Sequence, residues 1–272
     1  MKALGLRWDS TAVLCGLLFL LSIGLASWNA AHGRQLAQLG TSGEEAMFLI
    51  RSREELAPLA AAFGPRHYSR YVEEWIVRDF FADRRGGVFL DVGAHHYRDE
   101  SNTYYLETSL GWSGLAVDAL PEFGPDYVKY RPRTRFVAMF ATDHGGDSVT
   151  LFEPDNAKRI ASMSEEFTAR KGERGVARQV PTATLNQLLQ EAGLAKVDFV
   201  SMDIELAEPK ALAGFDIGRY QPQLVCIEVH PEVRQQILDY FARHGYVLVG
   251  KYLRIDPTNV YFKPVSFEHV DG

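Results

Sequence analysis

Two short stretches of this sequence carry residue types and spacing suited to acid–base chemistry. In "SMDIE" the alternation of an extended chain puts Asp203 and Glu205 on one side, and in "CIEVH" it does the same for Glu228 and His230. Carboxylates and an imidazole at adjacent strand ends can remove the proton from a hydroxyl held between them. The same groups offer oxygen and nitrogen donors to a hard divalent cation, but their spacing matches no tight ligand motif, so no metal is expected. Plainer roles stay open: Glu205 or Glu208 can cap a helix opening at Glu208 and Pro209, and His230 can be a loop residue before Pro231.

A third stretch, "FLDVGAHH", runs like a strand into a turn. Asp91 closes the strand, and Gly93 and Ala94 let the backbone approach a ligand closely. His95 lies on the same turn and is a further candidate base. Asp118 closes the next apolar run, "LAVDA", where an acid can accept hydrogen bonds from both hydroxyls of a ribose. Taken alone, Asp91 and Asp118 can equally be two solvated carboxylates. His144 and His244 read as surface histidines.

The elements that must position these groups form a regular series. Short apolar runs at "VFLDV", "LAVDA", "FVAMF", "DFVSMDI" and "LVCIEV" alternate with helix-compatible segments, the pattern of a parallel sheet covered on both faces. Ligands of such sheets bind beyond the carboxyl ends of the strands, where the strand order reverses. "YVLVGKY" and "NVYFKP" close the chain as two more strands, the second ending at Pro264. Ahead of the series, "HYSRYVEEWIVRDFFADRR" sets Tyr71, Trp75, Ile76, Phe80 and Phe81 at helical spacing for burial and predicts a stop at Gly86 and Gly87. The insert from Ser148 to Val180 predicts one extra strand and a mobile loop.

Composition narrows the function. The chain has 272 residues and a formal charge of -6 with dispersed Lys and Arg, which argues against nucleic acid as a partner. Its two cysteines, Cys15 and Cys226, build no disulfide framework and fit a reducing compartment. From Thr11 to Trp28 the chain is apolar, and no Asp, Glu, Lys or Arg occurs between Asp9 and Arg34, enough helix to cross a bilayer of about 30 Å. A cleaved signal is the rival, but Trp28 is a poor residue at the best cleavage point, after Ala30. The expected organisation is a membrane anchor over 1–34, a stem and packing helix over 35–66 with Ser42 as its cap, and one α/β domain over 67–272. Lys2 and Arg7 before the span, against Arg34 after it, point the domain away from the cytoplasm by one or two charges.

The segments "SNTYYLE", "GWSG", "DIELAEPKALAGF" and "CIE", in that order between Tyr71 and Pro264, resemble the FkbM family of S-adenosylmethionine-dependent methyltransferases. The resemblance implies a class I methyltransferase fold, Rossmann-like, with a mostly parallel seven-stranded sheet whose last strand is antiparallel. It implies S-adenosylmethionine as cofactor and methylation of a hydroxyl on a sugar or similar small product. Carried onto this chain, Asp91, Gly93, Ala94 and His95 line the methionine and ribose side, and Asn102 caps the next helix near the carboxylate end. Asp118 takes the ribose hydroxyls with Ala119 behind it, and adenine lies near Ala141 to Asp143. Asp203, Glu205, His230 and His95 are the candidate catalytic residues.

Two positions depart from the family pattern. Tyr97 stands where many such turns carry glycine, and Leu206 stands where "DIEGAE" is the commoner sequence. The expectation is a membrane-anchored O-methyltransferase acting on a glycan or lipid-linked saccharide, its domain on the cytoplasmic side where the cofactor is made. The alternatives are a non-catalytic binding module on the same fold, which Tyr97 and Leu206 favour, and a nucleotide-sugar enzyme, which lacks a phosphate-cradling glycine run.

Overall fold

The computed structural model describes residues 53–153, 161–171, 176–256 and 258–267. The expected anchor, the Ser42 cap and most of the stem lie outside the described residues. Among the described residues no helix is long and apolar enough to cross a membrane. Glu55–Gly272 forms one compact unit.

Seven strands make the main sheet: β1 (Val88–Val92), β2 (Ser113–Asp118), β3 (Thr134–Ala138), β7 (Phe199–Met202), β8 (Leu224–Glu228), β9 (Tyr246–Leu248) and β10 (Asn259–Pro264), in the order β3-β2-β1-β7-β8-β10-β9. β1, β2, β3, β7 and β8 are parallel, while β10 runs antiparallel between β8 and β9. This is the class I methyltransferase-like α/β fold. The strand order reverses between β1 and β7, which makes the gap beyond their carboxyl ends the natural ligand crevice.

The strands are buried on both faces, and each face has its own core. On one, Leu90, Val92, Val117, Val200, Met202, Val225 and Ile227 cluster together. On the other, Phe89, Phe199, Leu224, Cys226 and Tyr261 meet Trp75, Ile76 and Phe80 of α2 (Glu73–Phe81). The two-residue period of each strand does this sorting, and each such large side chain contributes about 1.5–3 kcal/mol when fully buried. α1 (Arg53–Phe63) adds Leu59 to the second core.

α2 stops earlier than its sequence predicts. Ala82 and Asp83 take φ of 49° and 51°, their N–H groups bond back to the last turn, and Arg78 pairs with Asp83 at 2.8 Å. These left-handed residues end the helix before Gly86 is reached. The insert is also richer than one strand: β5 (Ser148–Glu153) pairs antiparallel with β6 (Val176–Ala183), which pairs in turn with β4 (Phe140–Ala141). α5 (Glu165–Lys171) lies between β5 and β6 in the chain. The remaining helices are α3 (Tyr104–Thr108), α4 (Gly124–Tyr130), α6 (Leu185–Glu191), α7 (Glu208–Ala213), α8 (Ile217–Tyr220) and α9 (Arg234–Arg243).

Candidate active site

The turn after β1 is locked against both neighbouring strands. Gly93 has φ of 82°, and a Cβ there would lie 1.8 Å from the carbonyl oxygen of Asp203. The N–H groups of Gly93 and Ala94 both donate to the Val117 carbonyl, at 2.9 and 3.1 Å. His95, with φ of 46°, donates its backbone N–H to Asp118 Oδ2 at 2.8 Å. Leu120 donates to Asp118 Oδ1 at 2.9 Å. Each Asp118 oxygen keeps a second lone pair for a ligand. Burial pushes the Asp118 carboxyl up to about 6.

Two clefts open from this turn. One, of about 510 Å³, is lined by His95, Asp118, Ala119, Phe140, Ala141 and Ile204. The other, of about 740 Å³, is lined by Asp91, Ala94, Asn102, Asp203, Glu228 and Asn259. Gly93, His95, Asp203 and Glu205 border both. The two clefts therefore share one wall.

Asp91 is buried at the back of that wall. It accepts from Thr103 Oγ1 at 2.7 Å, and Thr103 Oγ1 in turn accepts from Arg131 Nη2 at 3.1 Å. Burial pushes the Asp91 carboxyl up to about 6. Arg131 is fully buried, pairs with Glu107 and donates to the Tyr97 carbonyl at 2.8 Å. One buried cation thus ties α3, the turn and the start of β3 together.

Asn102 does not cap α3. The N-cap is Thr103, and just before it Ser101 Oγ accepts from the N–H groups of Thr103 and Tyr104 at 3.3 and 3.2 Å. Asn102 instead donates Nδ2 to Ser201 Oγ at 3.0 Å, and its Oδ1 is buried with no hydrogen-bond partner. Tyr97 is outside the left-handed region, which falls to Gly93, His95 and Glu100. Its ring stacks on Tyr130 at 4.7 Å and packs with Ala94, Ala116 and Tyr127, on the wall of neither cleft. Asp143 is also off both walls: it is exposed and bound to Thr142 Oγ1 and His144 Nδ1.

At the ends of β7 and β8, Asp203, Glu205, Glu228 and His230 come together. His230 Nε2 lies 2.8 Å from Glu228 Oε2 and 3.3 Å from Glu205 Oε2. Hydrogen bonds to Glu205 and Glu228 push His230 up to about 10, so it is an imidazolium at neutral pH and cannot serve as the base. Asp203 opens into the cleft, where desolvation by the surrounding protein and then the charges of Glu228 and Glu205 hold its carboxyl well above the usual range. Glu208 accepts from the Ile204 N–H at 3.0 Å, and burial pushes it up to about 7. Glu205 and Leu206 take φ of 52° and 79°. The Leu206 side chain packs against the core and lines neither cleft, so it does not shape an acceptor pocket.

A family model described as Methyltransferase FkbM domain matches residues 91–248, more than half of the chain. The chain belongs to the FkbM methyltransferase family. Among solved structures, the FkbM domain is similar to a TehB-like SAM-dependent methyltransferase from Corynebacterium glutamicum, at 17% identity and a TM-score of 0.41, covering 87% of this chain and 100% of that one. It is also similar to a SAM-dependent O-methyltransferase from Thermotoga maritima, at 12% identity and a TM-score of 0.39, covering 77% and 71%. A precorrin-6y C5,15-methyltransferase from Geobacter metallireducens matches at 11% identity and a TM-score of 0.40, covering 70% and 84%. Comparison with curated proteins found no match.

The cofactor of this family, S-adenosylmethionine, fits the residues present. Gly93 packs its backbone against the Asp203 carbonyl, which keeps the turn tight at the border of both clefts. The orphaned Asn102 Oδ1 is an acceptor suited to an amino group, and the acidic wall suits a sulfonium. The FkbM site also uses residues that the sequence reading passed over. Arg131, Glu107, Thr103 and Ser201 brace the turn, and Phe167 of α5 sets its ring edge-on to His230 at 5.1 Å. Thr103 and Glu107 fall inside "SNTYYLE", whose pattern marked the family without revealing a role.

Proposed function

We propose that this FkbM methyltransferase methylates a hydroxyl of a neutral, polyhydroxylated acceptor, a glycan or lipid-linked saccharide near a membrane. The observation that carries the reading is the pairing of Glu205 and Glu228 with one imidazole, beside Asp203, which with Glu205 lies on the wall shared with the Gly93 turn. An acidic wall attracts a sulfonium, accepts hydrogen bonds from sugar hydroxyls and repels a phosphate at the reacting position.

S-adenosylmethionine, when bound, supplies an activated methyl group whose bonding electron pair returns to sulfur as the new O–CH3 bond forms. The Gly93 turn and Asp118 would hold the ribose, and Asn102 Oδ1 would take the amino group. In its ionised form, which a positive charge beside it would favour, Asp203 would accept the hydroxyl proton, while the His230 imidazolium holds Glu205 and Glu228 in place. The uncharged run from Thr11 to Trp28 supports tethering to a membrane. The cytoplasmic supply of the cofactor outweighs the one or two flanking charges and favours a cytoplasmic domain.

Titration calorimetry with S-adenosylmethionine, followed by labelled-methyl transfer to neutral glycans and their phosphorylated counterparts, tests this function. Transfer to the neutral set that Asp203→Asn removes while cofactor binding persists is the expected result. Properly folded protein that binds no cofactor would sink the reading. Protease accessibility in intact cells against inverted vesicles tests the orientation, and cleavage of the domain from outside would reverse it.

A further inference from the structure

We propose that Glu205, Glu228 and His230 form a divalent metal site at the ends of β7 and β8, with its open coordination positions facing the second cleft. Among the described residues these three offer donor atoms that all lie within 4.8 Å of one another. Ligands about 2.1 Å from one ion stand about 3 Å apart at right angles and about 4 Å apart across it. His230 Nε2 lies 2.8 Å from Glu228 Oε2 and 3.3 Å from Glu205 Oε2, within that span.

The hydrogen-bond pattern points to an ion. Nε2 carries at most one proton, yet two carboxylate oxygens close on it. One ring nitrogen and two carboxylate oxygens thus face one another at the spacing of ligands to a single ion. Glu208 is an independent sign. It is 0% exposed, and only Oε1 is satisfied, by the Ile204 N–H at 3.0 Å, while Oε2 is buried without a hydrogen-bond partner. Glu208 lies within the field of both Glu228 and His230. An ion that displaces the His230 proton replaces one positive charge with two in the neighbourhood of that orphaned oxygen.

The donor set selects the ion. One imidazole and two carboxylates suit a first-row divalent metal such as Mn2+ or Zn2+ better than Ca2+. When an ion enters, Nε2 gives up its proton to solvent and its lone pair takes the metal. Asp203 borders the same cleft, so an ion here would stand beside the acceptor oxygen. That last role rests on the methyl-transfer reading, whereas the binding of the ion does not.

The test uses the full chain freed of metal by a chelator, titrated with MnCl2 and followed by electron paramagnetic resonance. The six-line signal of free Mn2+ should fall by one ion per chain, and the spin-echo envelope should show nitrogen modulation from His230. Glu228→Gln should weaken binding about tenfold or more. No loss of free signal up to about 1 mM Mn2+ would overturn the site, as would bound Mn2+ without nitrogen modulation or unchanged affinity in folded Glu228→Gln. The modulation is read on the unaltered protein, so a variant that fails to fold leaves the test intact. Calorimetry of S-adenosylmethionine on the metal-free protein separates the two readings: cofactor binding without Mn2+ binding sinks the metal site alone, and the reverse sinks methyl transfer alone.

Discussion

The backbone N–H of His95 donates to Asp118 Oδ2 at 2.8 Å, so the turn after β1 and the acid at the end of β2 act as one unit. Asp118 Oδ1 is tied in the same way to Leu120, at 2.9 Å. The acid expected to hold a ribose is thus also the clamp that shapes the turn beneath it.

Asp118→Ala should therefore cost more than the ribose contacts. Losing charge-assisted hydrogen bonds and the clamp together should weaken cofactor binding by about 2–4 kcal/mol, about 30- to 1,000-fold. Titration calorimetry reads the affinity. Faster hydrogen exchange at the His95 amide in the cofactor-free variant reads the clamp. A variant that binds the cofactor normally would show that the strand-end assignment is mistaken.

The same acid gives the site a pH dependence. Burial raises Asp118 from 3.8 to about 6, with Asp91 and Glu122 adding to the rise and the N–H groups of Leu120 and His95 opposing it. Asp91 rises likewise to about 6. The unfolded chain releases these protons near 3.8 and the folded chain near 6, so their contribution to stability is fully present below about pH 4 and is lost as pH rises through about 6. Cofactor affinity should run the other way, because ribose hydroxyls donate best to the ionised acid. Calorimetry from pH 5 to 8 should show tighter binding above about 6, and Asp118→Asn should flatten the Asp118 part of that rise. A pH-independent affinity would remove Asp118 from the ribose site.

The sheet was legible because its strands are buried on both faces and read as continuous apolar runs; "VFLDV" and "NVYFKP" correspond to β1 and β10 residue for residue. That Asp91, Gly93, Asp118 and Asp203 would border one crevice was legible because strand ends in such a sheet meet at one edge. Tyr97 misled because the position of a left-handed residue in an irregular loop is not encoded by residue type alone: His95 carries the strain and Tyr97 packs outward. Asp143 misled by one short step past Ala141, where the chain leaves the cleft wall for solvent. Arg131 was invisible because a buried guanidinium is recognisable only once Glu107, Thr103 and Tyr97 surround it. His230 was read from the sequence as a candidate base, because its pairing with Glu205 and Glu228, which come from different strand ends, shows only in the fold.

Gly93→Ala should abolish cofactor binding. The added Cβ would sit 1.8 Å from the Asp203 carbonyl, where backbone meets backbone and no flexible side chain can yield. The φ of 82° adds strain on any residue other than glycine. Calorimetry should find no binding, and urea unfolding should show a loss of about 3 kcal/mol or more, in the range of overpacking with backbone strain added. Wild-type affinity in this variant would mean that the turn can shift away from β7.

Arg131→Met should destabilise the domain even though Arg131 lies behind the site. Its guanidinium is buried against Glu107, and removing one partner of a buried pair leaves the other charge uncompensated, a cost of about 3–5 kcal/mol. Urea unfolding should show that loss. Combining it with Glu107→Leu should recover part of it, because no orphan charge remains. If the double variant is no better than the single one, the tie to Thr103 and Tyr97, and not the ion pair, holds the turn.

Leu206 tests how the family pattern relates to backbone conformation. At φ of 79° a leucine is strained by about 1–2 kcal/mol, and glycine, the commoner family residue there, is not. The Leu206 side chain nevertheless packs against the core, so Leu206→Gly exchanges strain relief for lost burial, and thermal unfolding should show a net change within about 1 kcal/mol. Leu206→Val keeps apolar burial but places a β-branched residue where that branching is least tolerated, and it should destabilise by about 1–3 kcal/mol. If valine is accepted as readily as glycine, the conformation at Leu206 is not left-handed in solution, and the placement of Glu205 beside it must be reconsidered.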